Sequence, residues 1–277
     1  MMMVTEVTAG TPNFYDDIVT AGLTSGLQVV LDAGSSTSYT SGEKWLDLSG
    51  NGYDFMFGGG LTDTSSEAFS YVAPDDPTFT GTAGNLSSSE YMSFDGDDFF
   101  QYDSANETWM DNIHQDGALY CLAAWVYVTD ATDFQILGDR NGGNTGFKWA
   151  GDGLDLIELQ INNGASSVLN GKTDAALAQN QWNFIAVVVD EAATTGFFYR
   201  NGAYDQVSSA DTFTSTYSSP SDGAANETLC VCADGASGSK AKAGTRISGV
   251  FIWEGGTAIT KANLDTLWNA QKDRFGL

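Results

Sequence analysis

Gln181–Ala203, QWNFIAVVVDEAATTGFFYRNGA, is the stretch whose reading decides the fold. Trp182 to Val189 is apolar almost throughout and rich in β-branched residues. A strand with one face in water alternates apolar with polar, so this one must be covered on both faces. Asp190 to Gly196 is a polar connection, Phe197 to Arg200 is a second short strand, and Asn201-Gly202 supplies a positive-φ turn after it. A hairpin of this kind needs a layered β structure around it.

Working outward, Leu119–Val128 (LYCLAAWVYV) reads as another long buried strand. Phe134–Gly138, Gly146–Trp149 and Leu154–Ile161 follow it with turns between. Upstream, Leu27–Asp32 opens the body, Trp45–Leu48 leads into the turn Ser49–Gly52, and Tyr53–Phe57 follows. Tyr91–Phe94 and Phe99–Tyr102 flank the turn Asp95-Gly96-Asp97-Asp98. Downstream, Leu229–Ala233 and Arg246–Trp253 read as strands. The period then changes: Leu264, Leu267, Trp268 and Gln271 share a helical face, with Thr260 as N-cap. About twelve short strands and one C-terminal helix predict an all-β sandwich. Residues 27–277 form one domain. Residues 1–26 read as an N-terminal arm, with a short helix available at Tyr15–Ala21. The arm is either loose or docks on a neighbouring subunit. Residues 61–90 are a Ser/Thr/Gly/Asp-rich excursion longer than most loops of compact domains, and 205–227 form an acidic loop.

The chain carries 36 acidic and 11 basic residues, a formal net charge of −25. Such a field repels nucleic acid and anionic membranes, whose phosphates require Lys and Arg patches. It suits salty water, where screening shortens the repulsion, and it offers oxygen ligands to hard cations. The 3 cysteines make no disulfide framework. Cys230 and Cys232 are expected to share a strand face, and all are expected to be buried free thiols. The N-terminus lacks the basic and apolar regions of a secretory signal, and no apolar run reaches membrane-spanning length.

These segments, in this order, resemble the laminin-G-like, concanavalin A-like jelly-roll family. Trp45-Leu46-Asp47-Leu48-Ser49-Gly50-Asn51-Gly52 is similar to its W-D-x-S-G-N-G loop, and Phe94–Phe99 to its F-D-G-x-D-D-Y turn. Leu122–Val126 resembles its central Trp strand. Gln181–Asp190 with Tyr199-Arg200-Asn201-Gly202 is the most recognisable part. Gly249–Trp253 and the Leu264–Trp268 helix resemble its closing elements. The resemblance implies a concanavalin A-like jelly-roll sandwich. Members include carbohydrate binders, adhesion modules, glycosidases, and structural or decoration modules of phage particles, so function has to be read from a site.

A glycosidase on such a fold needs two carboxylates across a sugar cleft. Asp152, Asp155 and Glu158 are spaced by three, which on a strand alternates them between faces and forbids one acid/base set. Glu158 alone is placed to face a concave sheet. His114, the single histidine, has no Ser or Cys nucleophile nearby and reads as a loop residue. Asp95, Asp97 and Asp98 are the metal-site candidates, for Ca²⁺, with Asp47/Asn51/Asp54 and Asp139/Asn141/Asn144 as further oxygen-rich loops; Asp and Gly also favour such turns for backbone reasons. Trp149 and Tyr204 are the glycan-binding candidates, with Trp45 and Tyr39 behind them, whereas Trp125, Trp182 and Trp253 read as core.

The composition and the resemblance together lead to the expectation of a non-catalytic virion structural protein of a phage, on the capsid or tail. Its partners would be capsid or tail proteins and host-surface glycans, and it would be oligomeric on the outer surface of the particle. The alternative is a free, lectin-like carbohydrate-binding module, calcium-dependent or not.

Overall fold

A computed structural model describes residues 11–58, 76–132, 134–204, 224–235 and 239–277. Two antiparallel sheets face each other. The first runs β14 (Ala203–Tyr204), β13 (Thr195–Arg200), β12 (Trp182–Asp190), β7 (Leu119–Tyr127), β16 (Arg246–Glu254), β5 (Tyr91–Ser93), β4 (Thr78–Thr80), with β1 (Leu27–Asp32) also on β16. The second runs β11 (Ser167–Lys172), β10 (Ile157–Asn162), β9 (Gly146–Gly151), β8 (Gln135–Gly138), β15 (Cys230–Val231), β6 (Phe100–Tyr102), β3 (Phe55–Phe57), β2 (Lys44–Trp45). Helices α1 (Phe14–Thr20), α2 (Thr108–Asn112) and α3 (Lys261–Gln271) complete the fold, with a closing 3-10 turn at Lys272–Phe275.

The doubly apolar reading of β12 has a direct cause. Ile185, Val187 and Val189 enter the core between the sheets, while Trp182, Phe184, Ala186 and Val188 enter a second core on the outer face of the first sheet. Its neighbours β7 and β16 divide in the same way, with Trp125, Phe251 and Trp253 outward and Leu122, Val126 and Val250 inward. The second core is closed by α1, α3 and the 3-10 turn. Phe275 stacks on Trp125 at 3.9 Å, and the indole Nε1 donates to Gln271 Oε1 at 2.8 Å. Helices this short are marginal alone. They are held by burying Phe14, Ile18, Leu264, Leu267 and Phe275, at roughly 1.5–3 kcal/mol per large apolar side chain. Capping boxes at Asn13/Asp16 and Thr260/Asn263 satisfy their first N–H groups.

Of the segment expected to be an arm, residues 1–10 lie outside the described residues. The remainder docks on its own sandwich: Phe14 and Ile18, four apart, point one way and are buried. The first half of the 61–90 excursion and most of the 205–227 loop also lie outside the described residues. Within 76–90, β4 pairs with β5, and the Glu90 carboxylate accepts the N–H groups of Ser87 and Thr82. Five short elements, β2, β4, α2, β11 and β14, were not legible as such. The strand expected from Leu154 begins at Ile157, because residues 152–156 form a turn with Asp155 at φ 65°. Cys230 and Cys232 do not share a face: Cys232 sits at φ 65°, which turns it into the inter-sheet core, while Cys230 packs with Phe99 and Ala233. All three thiols are buried and free.

Candidate functional site

Helices cover the outer face of the first sheet, so the outer face of the second is where a recessed surface can form. In β10, Ile157, Leu159 and Ile161 point into the inter-sheet core. By strand alternation Glu158, Gln160 and Asn162 point outward. Strand pairing extends that outward row across the sheet as Lys44, Met56, Gln101, Cys230, Gly138, Lys148, Gln160 and Asn170. Its middle is roofed, since a Cβ on Gly138 would lie 3.4 Å from Ala233 O and Asp234 Cα. Its β9–β11 end carries a connected set of long polar side chains.

Lys148 Nζ lies 2.5 Å from Glu158 Oε1, and Lys172 Nζ lies 3.3 Å from Glu158 Oε2 and 2.9 Å from Asp152 Oδ2. Gln160 Nε2 donates to Glu158 Oε2 at 3.1 Å and accepts at Oε1 from Arg140 NH2 at 2.8 Å. Asp152 and Glu158 are nearly buried, with side chains 7% and 5% exposed, whereas Lys172 is 40% exposed. Burial works against the Asp152 charge, but Lys172 and the N–H groups of Leu154 and Leu156 overcome it and hold the carboxyl below its ordinary value. Lys172 is raised, chiefly by its bond to Asp152. Burial lowers Arg140, opposed by Glu158, Asp234 and Asp139. Spacing by three does not keep Asp152 and Glu158 apart. Asp152 precedes the strand, and the 152–156 turn folds it back onto the Glu158 face, where one ammonium touches both. Each of the two carboxylates is in contact with a lysine ammonium.

The other candidates fall elsewhere. Trp149 is 0% exposed, in the inter-sheet core, so the glycan-binding role expected of it is excluded: it points inward between the outward Lys148 and Ala150. Trp45 and Tyr39 are core too. Tyr204 is 41% exposed, edge-on to Phe197 at 5.1 Å, with Lys261 Nζ 5.5 Å from its ring. It lines a shallow groove of about 270 Å³ with Asp190, Ile259 and Thr260, on the edge of the first sheet, apart from the polar strip.

Asp95, Asp97 and Asp98 are not brought together as ligands. Asp95 Oδ1 accepts the Asp97 N–H, and Asp98 Oδ2 accepts the Asp95 N–H. Asp98 is buried, which pushes its carboxyl up to about 7. In the second loop Asp47 accepts from Val30, Ser49 and Tyr53, and Asn51 donates to the Leu27 and Gln28 carbonyls, tying the loop to β1. In the third, Asp139 Oδ1 accepts from Phe147 N. Among the described residues no three His, Cys, Asp or Glu side chains are grouped to hold a metal ion.

His114 lies in the turn after α2, a loop residue as expected, but it is fully buried there, its Nε2 3.8 Å from Asp111 Oδ1 and 4.0 Å from Asp139 Oδ2. Burial lowers its pKa, yet Asp111 and Asp139 together leave it above its ordinary value. Asp139, wholly buried, is pushed up to about 7 by desolvation against the pull of His114. Helix α2, which carries Asp111, is too short to read in the sequence. The polar strip was half legible, since IELQIN alternates in period two.

Residues 95–255 match the family model described as the concanavalin A-like lectin/glucanases superfamily. The fold is similar to domain 4 of an extracellular arabinanase from Geobacillus stearothermophilus in complex with arabinotriose: TM-score 0.53, 16% identity, covering 88% of this chain and 98% of that one. It is also similar to the binding domain of botulinum neurotoxin DC in complex with SialylT, with TM-score 0.53 and 12% identity, over 90% and 52% of the two chains. A third likeness is Trypanosoma rangeli sialidase in complex with sialic acid, with TM-score 0.52 and 12% identity; 90% of this chain is covered, but it spans only 33% of the sialidase. At these identities the likeness is one of fold. No curated protein matches in sequence.

Proposed function

The chain belongs to the concanavalin A-like lectin/glucanase superfamily, and from that membership we propose that it is a non-catalytic carbohydrate-binding module taking a saccharide on the outer face of its second sheet. The observation that carries this is the connected polar strip of Arg140, Lys148, Glu158, Gln160, Lys172 and Asp152. Its donors and acceptors alternate and hold one another in place. Side chains fixed before binding lose little entropy when a ligand arrives. Vicinal hydroxyls, each both donor and acceptor, suit such a row. A glycosidase needs one carboxyl that stays protonated near neutrality. Asp152 is held below its ordinary value, and Glu158 carries a lysine on each oxygen. That supports binding without turnover. Tyr204 belongs to the same proposal as a separate stacking position on the first sheet.

The test is a panel of plant, bacterial and animal glycans printed on a surface, probed with the wild type and with Gln160→Ala. The proposal predicts selective binding that Gln160→Ala weakens at least tenfold, with no reducing ends released from bound polysaccharide. Release of reducing ends, lost in Glu158→Gln, would make the protein an enzyme instead.

A second reading places the module on the outside of a phage particle, docked to capsid or tail proteins. The net charge of −25 favours it as a soluble outer surface in salty water. Antibody label over intact particles is the expected outcome, and bare particles from a culture expressing the chain would contradict it.

A further inference from the structure

We propose that the polar strip selects neutral saccharides and rejects acidic ones. This deepens the binding function proposed above and rests on it. The basis is the charge arrangement on the face. Three cations, Arg140, Lys148 and Lys172, stand among the carboxylates Glu158, Asp152 and Asp234. Lys148 is committed to Glu158, Lys172 is shared between Glu158 and Asp152, and the Arg140 guanidinium is faced by Glu158, Asp234 and, from the interior side, Asp139. With Asp234 counted, three carboxylates stand against the three cations, and Asp139 adds a fourth behind Arg140, so the face offers hydrogen bonds and no surplus of positive charge.

The chain as a whole carries −25. A uronate, sialate or sulfated sugar entering the strip would have to displace a carboxylate from its lysine. That would leave the displaced carboxylate, Glu158 or Asp152, nearly buried without its cation, which is costly. It would also approach against the field of the whole protein. A neutral sugar meets neither penalty. Its hydroxyls donate to the carboxylate oxygens and accept from the ammonium groups while each ion pair stays closed. Specificity then comes from the cost imposed on the wrong ligand as much as from contacts to the right one.

The experiment compares matched soluble probes, neutral oligosaccharides (arabinotriose, xylotriose, lactose) and acidic ones (trigalacturonate, sialyllactose), by calorimetry in 0.05 M and 0.5 M NaCl. The expected result is binding of at least one neutral probe with affinity changing less than twofold between the two salts, and no acidic probe within tenfold of it at low salt. Glu158→Gln, which leaves one lysine unbalanced, should raise affinity for an acidic probe several-fold and make it fall with salt. An acidic probe preferred by the wild type would overturn the inference while leaving the binding function intact. Failure of every probe with wild type and variant alike would overturn the binding function itself.

Discussion

Arg274→Met should be among the most damaging single changes away from the binding face. Arg274 sits in the closing 3-10 turn, and its guanidinium grips Asp32 of β1 with both arms, NH2 to Oδ1 at 2.8 Å and NH1 to Oδ2 at 3.1 Å. The two side chains are 5% and 0% exposed. Asp32 also accepts the N–H groups of Phe14, at the start of α1, and Gly34. One carboxylate thus joins α1, β1 and the C-terminus, and Arg274 supplies its cation. Removing one partner of a buried pair typically costs about 3–5 kcal/mol, because the other is left charged and uncompensated. At roughly 2–4 °C per kcal/mol for chains approaching this size, the melting temperature should drop by about 10 °C. The loss comes mostly from the stranded charge, so adding Asp32→Asn should recover more than half of it: the amide oxygen still accepts the N–H of Phe14 or Gly34. Urea unfolding followed by tryptophan fluorescence gives both numbers. A single variant within about 1 kcal/mol of wild type, which is the exposed-pair range, would refute the reasoning, as would a double variant worse than the single.

Other outcomes follow from the same coordinates. Asp139 has its folded carboxyl raised to about 7 from 3.8, and His114 is raised from 6.5. Raised groups stabilise below their unfolded values and lose that contribution as pH rises through the folded ones. Stability should therefore fall from about pH 4 to 7 through Asp139 and further above pH 6.5 through His114. Asp139→Asn should flatten the urea midpoint against pH, and an unchanged slope would contradict the buried pair. Gly249→Ala should destabilise by about 1–3 kcal/mol through overpacking, because its Cβ would meet the Phe14 ring at 2.5 Å; the same midpoint measures it. Millimolar calcium should leave the melting temperature unchanged, since one oxygen each of Asp95 and Asp98 already takes a backbone N–H group; a rise of several degrees would restore the metal site there.

What the sequence made legible follows burial. β7, β12 and β16 are covered on both faces, so their apolar runs are unbroken and their type and extent could be read directly. The α3 face and its cap were equally clear, because a helix that packs on a sheet must show its period. The second sheet was harder. β11 is an edge strand with the pattern Ser-Val-Leu-Asn-Gly-Lys, half exposed and broken by a glycine, and it gives little periodic signal. Without β11 there is no Lys172 beside Glu158, and without the 152–156 turn there is no Asp152 beside either. The strip is assembled from three strands, the 152–156 turn and Arg140 of the β8–β9 connection, so only its central IELQIN could be seen. Trp149 misled for a related reason: next to Lys148 in a short strand, its face depends on a register that the sequence does not reveal.

The most direct test of the account is a ¹⁵N–¹H chemical-shift titration of the labelled protein with whichever saccharide binds. The account predicts that the perturbed amides cluster on β9, β10 and β11, around Lys148, Glu158, Gln160, Asn170 and Lys172. Shifts confined to the Tyr204 groove or to the helical side of the first sheet would contradict it.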